Sequence, residues 1–510
     1  MGTAPWLRLG AAAGGGIVLF VASPPRPLWW LAPVAFALLV LAVSGRPVRH
    51  AFGAGVAFGV TYLLPLLQWL DDFLGVAFGV WPWLGLVGLE ALFFGLMGAG
   101  MAKVSRLPMA PVWMAAVVVA AEAVRSRVPY GGFPWGRVAF TQPEGIFLPL
   151  AVVGGAVLVG FAVALAGCGL GVVALRIRQT PRRSIAPGLI GVLPVLAGWL
   201  AASLIETGAE DGTMNVAVVQ GNAPDSGLAL LGRSATVRAN HIAQANQLVD
   251  DVRAGRGPSP DLVILPESSN VFAPGRGDPD LDRIARELGV PVAVGGTAYS
   301  VDGRVSNRII LWSPGRGATK EYAKQQLVPF SEFVPLRAVA AAVTPFSDDP
   351  AGDMVPGDRP GVLDVGSARA GFAICYEVAY DYVLTDATRA GAQLLVVPTN
   401  NAWFGRTEMT FQQLAMARLR AVEHGRAVIV ASTSGVSAIV RPDGSVVRRT
   451  GQFTSESMVE QVPLRSTTTV ATRLGSTTEW AIVSLALVAL MAAALRRQPV
   501  TSHSQGKQLW

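Results

Sequence analysis

The stretch Gly371–Glu377 (GFAICYE) joins an apolar β-type run to a thiol, an aromatic ring and a carboxylate. A strand fixes the position of the residue that ends it, so strand ends are suited to carry reactive groups. The other cysteine of the chain, Cys168, lies inside a long apolar run. We therefore expect Cys375 to be a free thiol, although a buried cysteine can also serve simply as a small hydrophobic residue.

The composition limits the classes of protein to which this chain can belong. Its 510 residues leave room for two or three domains, and 51% hydrophobic against 15% charged residues is too apolar for an ordinary soluble protein. Cationic cytoplasmic loops account for the net charge of +7 without a nucleic-acid partner. The sequence shows no Cys/His cluster of metal-binding type, so we expect neither a metal nor a cofactor.

The first 205 residues contain seven apolar segments, most of them near or above the roughly 20 residues needed to cross a bilayer. These are Leu9–Ser23, Leu28–Ser44, Ala51–Leu70, Phe73–Ala102, Leu107–Val124, Gly145–Leu175 and Ile185–Ile205. For the short first segment, a signal peptide is the alternative. We expect a membrane domain over 1–205, a catalytic domain over 206–477, an eighth span within 478–497 and a cytoplasmic, disordered tail over 498–510.

Basic residues cluster in alternate connections between these segments. Arg46 with Arg49, Lys103 with Arg106, and the range Arg176–Arg183 fall on one side if the N-terminus is cytoplasmic. This positive-inside pattern predicts a multi-pass protein of the cell membrane, with the catalytic domain on the extracytoplasmic face. Three arginines in an outside loop depart from the pattern, namely Arg125, Arg127 and Arg137.

After residue 205 the pattern changes to short apolar strands that alternate with helices, which favours layered α/β packing. The predicted helices include Thr236–Arg253 and Met409–His424. The predicted strands are Met214–Gln220, Asp261–Pro266, Pro291–Val294, Arg308–Trp312, Gly371–Ile374, Ala392–Val397, Val428–Ser432, Ser437–Arg441 and Val446–Arg449, the last two joined by a Pro-Asp-Gly turn.

Three side chains at strand or loop ends form a chemically coherent set: Glu267, Lys324 and Cys375. A thiol with an ordinary pKa of about 8.5 needs a base or a nearby cation to react as thiolate. A carboxylate can take its proton, and an ammonium can stabilise both the thiolate and an oxyanion. Each residue alone could be a solvated surface group, but the set is far more specific than its members.

These residues and their neighbours resemble the apolipoprotein N-acyltransferase family of the nitrilase superfamily. The motifs that carry the resemblance are Gly132–Trp135 (GFPW), Val219–Asn222 (VQGN), Pro266–Ser268 (PES), Leu327–Pro335 (LVPFSEFVP), Ile374–Glu377 (ICYE) and Pro398–Phe404 (PTNNAWF). The resemblance implies an α/β fold, with a nitrilase-like α-β-β-α sandwich inserted after seven transmembrane helices and before one.

The resemblance also implies an activity. The family moves an acyl chain from a membrane phospholipid to the α-amino group of the diacylglyceryl-cysteine of an apolipoprotein. It implies that Cys375 is the nucleophile, Glu267 the base and Lys324 the oxyanion ligand, with a thioester intermediate. We expect both lipid substrates as partners and a monomeric protein. The supporting residues implied by the family motifs are Glu332, Tyr376, Glu377 and Trp403.

Several further features lead to expectations of their own. Family members can carry a tryptophan in the stretch corresponding to Asp225–Leu231, which here contains no aromatic residue. Glu90 and Glu122 lie in apolar segments; we expect Glu90 to face the bundle interior and Glu122 to reach water. Phe346–Asp358 and Asn400–Phe411 are candidate lids.

Two other classes of function compete with acyl transfer. A membrane-anchored amidase or nitrilase could use the same three residues to hydrolyse a small amide, although soluble relatives need no such anchor. A transporter or receptor could use the outer domain only to bind a ligand, but this leaves the Glu267, Lys324 and Cys375 set unexplained.

Overall fold

The structure is a computed structural model that describes residues 5–177, 180–337 and 353–496. Before residue 206 the chain forms apolar helices, and every apolar segment predicted there overlaps at least one of them. The helices are α1 (Pro5–Val21), α2 (Leu31–Val43), α3 (Val48–Leu66), α4 (Trp69–Phe78), α5 (Trp81–Val104), α6 (Ala110–Arg125), α7 (Ala151–Arg176) and α8 (Pro181–Ala201).

The fourth predicted segment, Phe73–Ala102, is not one continuous helix. α4 ends at Phe78 because Gly79 follows with a φ of 62°, a conformation that glycine adopts without strain. α3 and α4 meet at 80°. Within the described residues, four helices are long and apolar enough to cross a membrane, or five if this bent pair is one span. Seven spans before the catalytic domain and one after it therefore stay a prediction.

In the described residues after 205, the chain forms two six-stranded sheets, in the orders β12-β1-β2-β3-β4-β5 and β11-β10-β9-β8-β7-β6. The strands are β1 (Thr213–Gln220), β2 (Leu262–Phe272), β3 (Val292–Tyr299), β4 (Val305–Ser313), β5 (Gly317–Ala323), β6 (Val362–Val365), β7 (Ala368–Phe372), β8 (Leu394–Thr399), β9 (Val428–Ser432), β10 (Ala438–Val440), β11 (Val446–Arg449) and β12 (Glu456–Pro463). In each sheet, three parallel strands are flanked by antiparallel ones.

The helices of this region are α9 (Ser234–Arg253), α10 (Pro279–Leu288), α11 (Asp381–Arg389), α12 (Met409–His424), α13 (Val470–Leu474) and α14 (Thr477–Leu495). Alternation along β1 shows how the layers stack, because successive strand residues point to opposite faces. Val216 and Val218 belong to the buried cluster between the sheets, together with Phe372 of β7. Ala217 and Val219 belong instead to the cluster that contains α9 and α10.

The outer face of the second sheet completes a helix–sheet–sheet–helix sandwich. Val397 and Val430 on this face share a buried cluster with Ala417 of α12. α12 also contacts α7, and α14 returns to pack against α6. The apolar helix bundle and the outer face of the second sheet therefore share one continuous apolar core.

All nine predicted strands overlap observed ones, and the three strands that were not predicted are β5, β6 and β12. Each of the three forms an edge of its sheet. An edge strand is half-solvated and has polar residues at positions that would be apolar in a central strand. The sequence of β12, ESMVEQVP, shows this directly. Their weak apolar pattern explains why these strands escaped prediction.

Candidate active site

Glu267 lies within β2 rather than at its end, which corrects the predicted strand end at Pro266. Pairing between β2 and β3 is interrupted between Leu265 and Asn270, and Ser268 has a φ of 58°. A β-carbon on Gly295 of β3 would lie 2.7 Å from Glu267 Cα, so only glycine allows this close approach. The irregularity holds the Glu267 carboxylate in a buried position.

The Glu267 carboxylate accepts hydrogen bonds at both oxygens. Asn307 Nδ2 donates to Oε1 at 2.7 Å, and the backbone N–H of Asn400 donates to Oε2 at 2.8 Å. Lys324 Nζ lies 3.4 Å from the same Oε1. Because these three partners hold the carboxylate, the orientation of its two oxygens is fixed.

Lys324 follows directly after β5, where its backbone N–H donates to the Asn307 carbonyl at 2.9 Å. Its ammonium is fully buried and donates to Glu332 Oε1 at 3.0 Å as well as to Glu267. Burial alone would lower the pKa of Lys324, but Glu332 and Glu267 hold it well above its usual value. The side chain is therefore a permanent cation at neutral pH.

Glu332 and Asn307 complete this group of charges. Glu332 Oε1 accepts from Asn307 Nδ2 at 2.8 Å, and its Oε2 accepts from the backbone N–H of Val328 at 2.8 Å. One asparagine amide thus bridges the two carboxylates that contact Lys324. In the part of the chain that the structure describes, no group of three or more His, Cys, Asp or Glu side chains is arranged to bind a metal ion.

The sequence predicted that Cys375 directly follows the end of a strand, and the structure corrects this prediction. β7 ends at Phe372, and Cys375 begins a short 3₁₀ turn, Cys375–Ala379, with a φ of 54°. This left-handed conformation is uncommon for residues other than glycine, and strained backbone of this kind clusters at functional sites. Both cysteines are free, as expected, and Cys168 is buried within α7.

The surroundings of Cys375 favour the neutral thiol at rest. Burial, and next the Glu267 carboxylate, raise the pKa of Cys375 to about 12. The Lys324 ammonium, the Thr399 hydroxyl and the Asn400 N–H act in the opposite direction. At neutral pH the sulfur therefore needs a base to react, and Glu267 is the carboxylate beside it. The arrangement can generate a thiolate on demand and hold a negative oxygen near Lys324.

Glu377 ties the Cys375 turn to the Lys324 segment. Its Oε1 accepts from the backbone N–H groups of Gln325 and Gln326 at 2.7 and 3.0 Å, and its Oε2 accepts from that of Ile374 at 2.6 Å. The Tyr322 hydroxyl donates to the same carboxylate. Burial raises the pKa of Glu377 to about 7, although the backbone N–H groups lower it. Glu377 thus fixes the position of the thiol relative to the ammonium.

Tyr376 is held by the loop that carries the GFPW motif. Its ring stacks on Phe133 and Trp135, with centroids 6.2 and 6.3 Å away, and its hydroxyl donates to the Gly132 carbonyl at 3.2 Å. Arg125 supports the loop by donating to the Phe133 and Trp135 carbonyls at 3.0 and 2.8 Å. Arg125 is itself paired with Glu90 of α5 at 3.0 Å, and the Glu90 side chain is buried.

The structure places Trp403 at the contact between the α/β domain and α4. Its ring lies 5.7 Å from that of Phe73, and it packs on a small buried cluster that includes Leu230. Leu230 comes from the stretch in which family members can carry a tryptophan. Trp403 therefore belongs to an aromatic contact with the helix bundle, while Glu267, Lys324, Glu332, Tyr376, Glu377 and Cys375 belong to the site itself.

A second group of buried charges joins the helix bundle to the α/β domain. Arg137 Nη1 donates to Asp381 Oδ1 at 2.7 Å and faces Glu122 at 3.8 Å. Arg420 of α12 donates to Asp381 at 2.8 Å and pairs with Glu423. Glu122 turns inward and accepts from the Val138 N–H at 2.7 Å, so the expectation that it reaches water was wrong.

The arginines that departed from the positive-inside pattern all have carboxylate partners. Arg125 pairs with Glu90, Arg127 with Glu479 of α14, and Arg137 with Asp381. A guanidinium whose charge is balanced in this way has a structural reason for its place in the loop.

The candidate lids can be described only in part. Residues 346–352 of Phe346–Asp358 lie outside the described residues, and Met354 N–H donates to the Glu332 carbonyl at 2.8 Å. The other segment, Asn400–Phe411, begins inside the site, because Asn400 N–H donates to Glu267. Its motion stays a prediction.

Sequence reasoning missed two polar residues of the site, Asn307 and Gln413. Asn307 stands in β4 before an apolar run, and Gln413 Nε2 lies 3.8 Å from Cys375 Sγ. An asparagine inside a strand is unfavourable, so its presence before Ile309 was a usable signal. The position of Gln413 depends on the packing of α12 beneath the thiol.

Comparison with known proteins shows two family models that match this chain in succession. A family model described as "Apolipoprotein N-acyltransferase N-terminal domain" matches residues 15–169, and one described as "Carbon-nitrogen hydrolase" matches residues 215–472. Two solved structures resemble the chain at a TM-score of 0.36. Saccharomyces cerevisiae Nit3 is 18% identical and covers 49% of this chain and 90% of its own. A mutant of the amidase from Nesterenkonia sp. AN1 is 20% identical and covers 51% and 95%.

Curated relatives cover nearly the whole chain. The apolipoprotein N-acyltransferase of Mycolicibacterium smegmatis is 38% identical over 96% of this chain and 85% of the relative. That of Azotobacter vinelandii is 30% identical over 96% of this chain and 95% of the relative. With both family models matched in the expected order, this chain belongs to the apolipoprotein N-acyltransferase family, whose members are acyltransferases with a carbon-nitrogen hydrolase domain.

Proposed function

We propose that this protein transfers an acyl chain from a membrane phospholipid to the N-terminal α-amino group of the diacylglyceryl-cysteine of apolipoproteins. The observation that carries the proposal is the placement of Cys375. Its turn is held by Glu377 on the side of Lys324 and by the GFPW loop, through Tyr376, on the side of the helix bundle. A thiol at the boundary with apolar helices suits two substrates that are both anchored in a membrane.

In the first half-reaction, Glu267 takes the proton of the Cys375 thiol as the sulfur attacks the ester carbonyl of the phospholipid. The Lys324 ammonium and the backbone N–H after Cys375 stabilise the negative oxygen of the tetrahedral intermediate. Glu267 then gives the proton to the departing lysophospholipid oxygen as the C–O bond breaks. An acyl thioester on Cys375 remains.

In the second half-reaction, the α-amino group of the apolipoprotein attacks the thioester carbonyl. Glu267 takes a proton from the amine and returns it to the sulfur of Cys375 as the C–S bond breaks. The acyl chain leaves as an amide, and the enzyme regains its free thiol. One site that meets two substrates in turn gives ping-pong kinetics.

The supporting residues have roles consistent with their contacts. Glu332 positions Lys324, Glu377 fixes the Cys375 turn, and Tyr376 transmits the position of the GFPW loop to the site. Trp403 and the facing aromatic side chain of α4 contact the acyl chains where they approach from the bilayer.

The protein acts as a multi-pass monomer of the cell membrane, with residues 206–477 on the extracytoplasmic face between seven spans and an eighth. The charge pattern of the connections supports this orientation. A reporter fused at Gly451 should behave as external, and one fused after Gln498 as cytoplasmic. Cytoplasmic labelling at Gly451 would reverse the proposed orientation and change the number of spans.

The proposed reaction is tested by giving purified protein phospholipid alone. Cys375 should then carry an acyl chain that neutral hydroxylamine removes, as expected for a thioester. A diacylglyceryl peptide with a free α-amine should discharge the acyl chain, and the same peptide with a blocked amine should not. Steady release of fatty acid without a trapped adduct would instead make the protein a membrane-anchored hydrolase.

A further inference from the structure

Gln413 of α12 touches the sulfur of Cys375. Its side chain is 1% exposed, and Nε2 lies 3.8 Å from Sγ, within the range of N–H···S hydrogen bonds. An amide is a neutral donor, so it can contact a neutral thiol at no cost and a thiolate with a clear gain. Chemistry at Sγ therefore takes place against this amide.

The carbonyl side of the Gln413 amide is held by two donors. Oε1 accepts from the Thr399 hydroxyl at 3.0 Å and from Asn401 Nδ2 at 2.9 Å. Thr399 ends β8, and Asn401 opens the short 3₁₀ turn that follows it. With Oε1 occupied in this way, the NH₂ group faces the sulfur.

A chain of hydrogen bonds fixes the direction of this amide. The Gly435 N–H, which can only donate, donates to Ser432 Oγ at 2.8 Å. The Ser432 hydroxyl then donates to Asn401 Oδ1 at 2.8 Å, which turns Asn401 Nδ2 toward Gln413. Polarity therefore runs from a backbone N–H to the sulfur, and a reversed Gln413 would place a carbonyl oxygen against Sγ.

We propose that Gln413 is a further catalytic residue that donates a hydrogen bond to Cys375 Sγ and stabilises the thiolate formed in each half-reaction. The proposal rests on the proposed function in one respect, that Cys375 is the nucleophile. When Glu267 takes the thiol proton, negative charge grows on Sγ, and the Gln413 N–H bond to sulfur strengthens while its own proton stays on nitrogen. The same hydrogen bond stabilises the negative charge that returns to Sγ when the thioester C–S bond breaks.

The test measures alkylation of Cys375 by iodoacetamide as a function of pH, followed by intact mass, in full-length protein purified in detergent. Gln413→Leu removes the donor, and we expect alkylation at pH 8 to slow roughly ten-fold and its pH profile to move upward by about one unit, as for the loss of a hydrogen bond to a charged group. Gln412→Leu is the matched control, because Gln412 is also buried in α12 but contacts Trp135 and the Leu66 carbonyl.

A second variant protects the test against misfolding. Gln413→Glu keeps the size of the side chain but places a carboxylate beside Sγ, which should slow alkylation at neutral pH more than the leucine does. A wild-type pH profile in either folded variant overturns the role of Gln413, as does an equal shift in Gln412→Leu.

Iodoacetamide reports on the thiol alone, so this result separates the two proposals. A shifted profile in a protein that never acylates a diacylglyceryl peptide would support the Gln413 role and remove the proposed function. An unshifted profile in a protein whose Cys375 is acylated by phospholipid would remove only the Gln413 role.

Discussion

Two clusters of buried charge act on the same short turn, Cys375–Ala379, and differ in what they do to it. The catalytic cluster, named for its proposed role, consists of Glu267, Asn307, Lys324 and Glu332, beside Cys375. The interdomain cluster consists of Glu122, Arg137, Asp381, Arg420 and Glu423, and it reaches the Val378 and Ala379 carbonyls through Arg420. Each cluster has one more carboxylate than it has cations.

The difference lies in the cation. Arg420 donates through all three of its nitrogens to two carboxylates and two backbone carbonyls, so its planar fork fixes the backbone after Cys375. Lys324 is a compact ammonium with two carboxylate partners. A point charge can follow a negative oxygen that forms during a reaction, whereas a guanidinium held by four hydrogen bonds cannot. The comparison predicts that one cluster contributes mainly to rate and the other mainly to stability.

The largest expected effect is the loss of activity when Cys375, the thiol beside the catalytic cluster, is replaced. Cys375→Ala should abolish N-acylation, at least about a thousand-fold by comparison with the loss of other nucleophiles, with little change in thermal stability. Cys375→Ser should be nearly as inactive, because a hydroxyl is harder to ionise. Mass spectrometry of a diacylglyceryl peptide measures the product. Cys168→Ala is the control and should stay active; an active Cys375→Ala variant would contradict the mechanism.

The interdomain cluster should show the opposite profile. Arg420→Ala leaves Glu423 without its buried arginine and Asp381 with Arg137 alone. Breaking a buried pair in this way costs about 3–5 kcal/mol. Thermal unfolding in detergent should reveal the loss. Arg418→Ala, on the same helix but at a half-buried position paired with Glu144, should cost about 1 kcal/mol or less. Equal losses in the two variants would show that the interdomain cluster is no more stabilising than a surface pair.

The two clusters also differ in how far the sequence predicts them. Glu267, Lys324 and Cys375 stand next to apolar runs or turn residues, and local patterns of this kind can be recognised in the sequence. Arg137, Asp381 and Arg420 come from a loop and two helices that meet only after folding. No local pattern pairs residues that are so distant in sequence. Gln413 escaped prediction for the same reason, because its role depends on how α12 packs beneath the turn.

The same limit applies to the fold. The central strands β1, β2, β3, β8 and β9 were predicted because both faces of each are buried, whereas the edge strands β5, β6 and β12 have weak apolar patterns. The end of β2 was placed too early because Pro266 and Glu267 are typical of a strand end. Tertiary pairing with β3 resumes at Asn270 and outweighs that local signal.

Replacing the Lys324 ammonium with a guanidinium tests whether the type of cation causes the difference between the two clusters. Lys324→Arg keeps the charge but replaces a compact ammonium with a planar fork on a longer stem, so we expect N-acylation to fall about 10²–10³-fold, as when one oxyanion ligand is lost. Lys320→Arg, at an exposed position paired with Asp364, should keep the wild-type rate. Near-normal turnover of Lys324→Arg would mean that Lys324 supplies only a diffuse positive field.

The smallest expected effect is on the pH dependence of stability, in which Glu377 and Asp381 should differ. Glu377 has a pKa raised from 4.5 to about 7 by burial, so the folded state binds more protons than the unfolded state between these values. The stability of the wild type should therefore fall, relative to Glu377→Gln, as pH rises from about 4.5 to 7, by up to about 3 kcal/mol, and stay level above.

Asp381 should behave in the opposite way. Burial alone would raise the pKa of Asp381, but Arg137 and Arg420 hold it well below its usual 3.8. Its contribution is then fully present above that pH and is lost only as pH falls further. Thermal unfolding of wild type, Glu377→Gln and Asp381→Asn between pH 4 and 8 measures both differences. A constant difference for Glu377→Gln, or a falling one for Asp381→Asn above pH 5, would show that Glu377 in the turn and Asp381 in the interdomain cluster do not differ in this way.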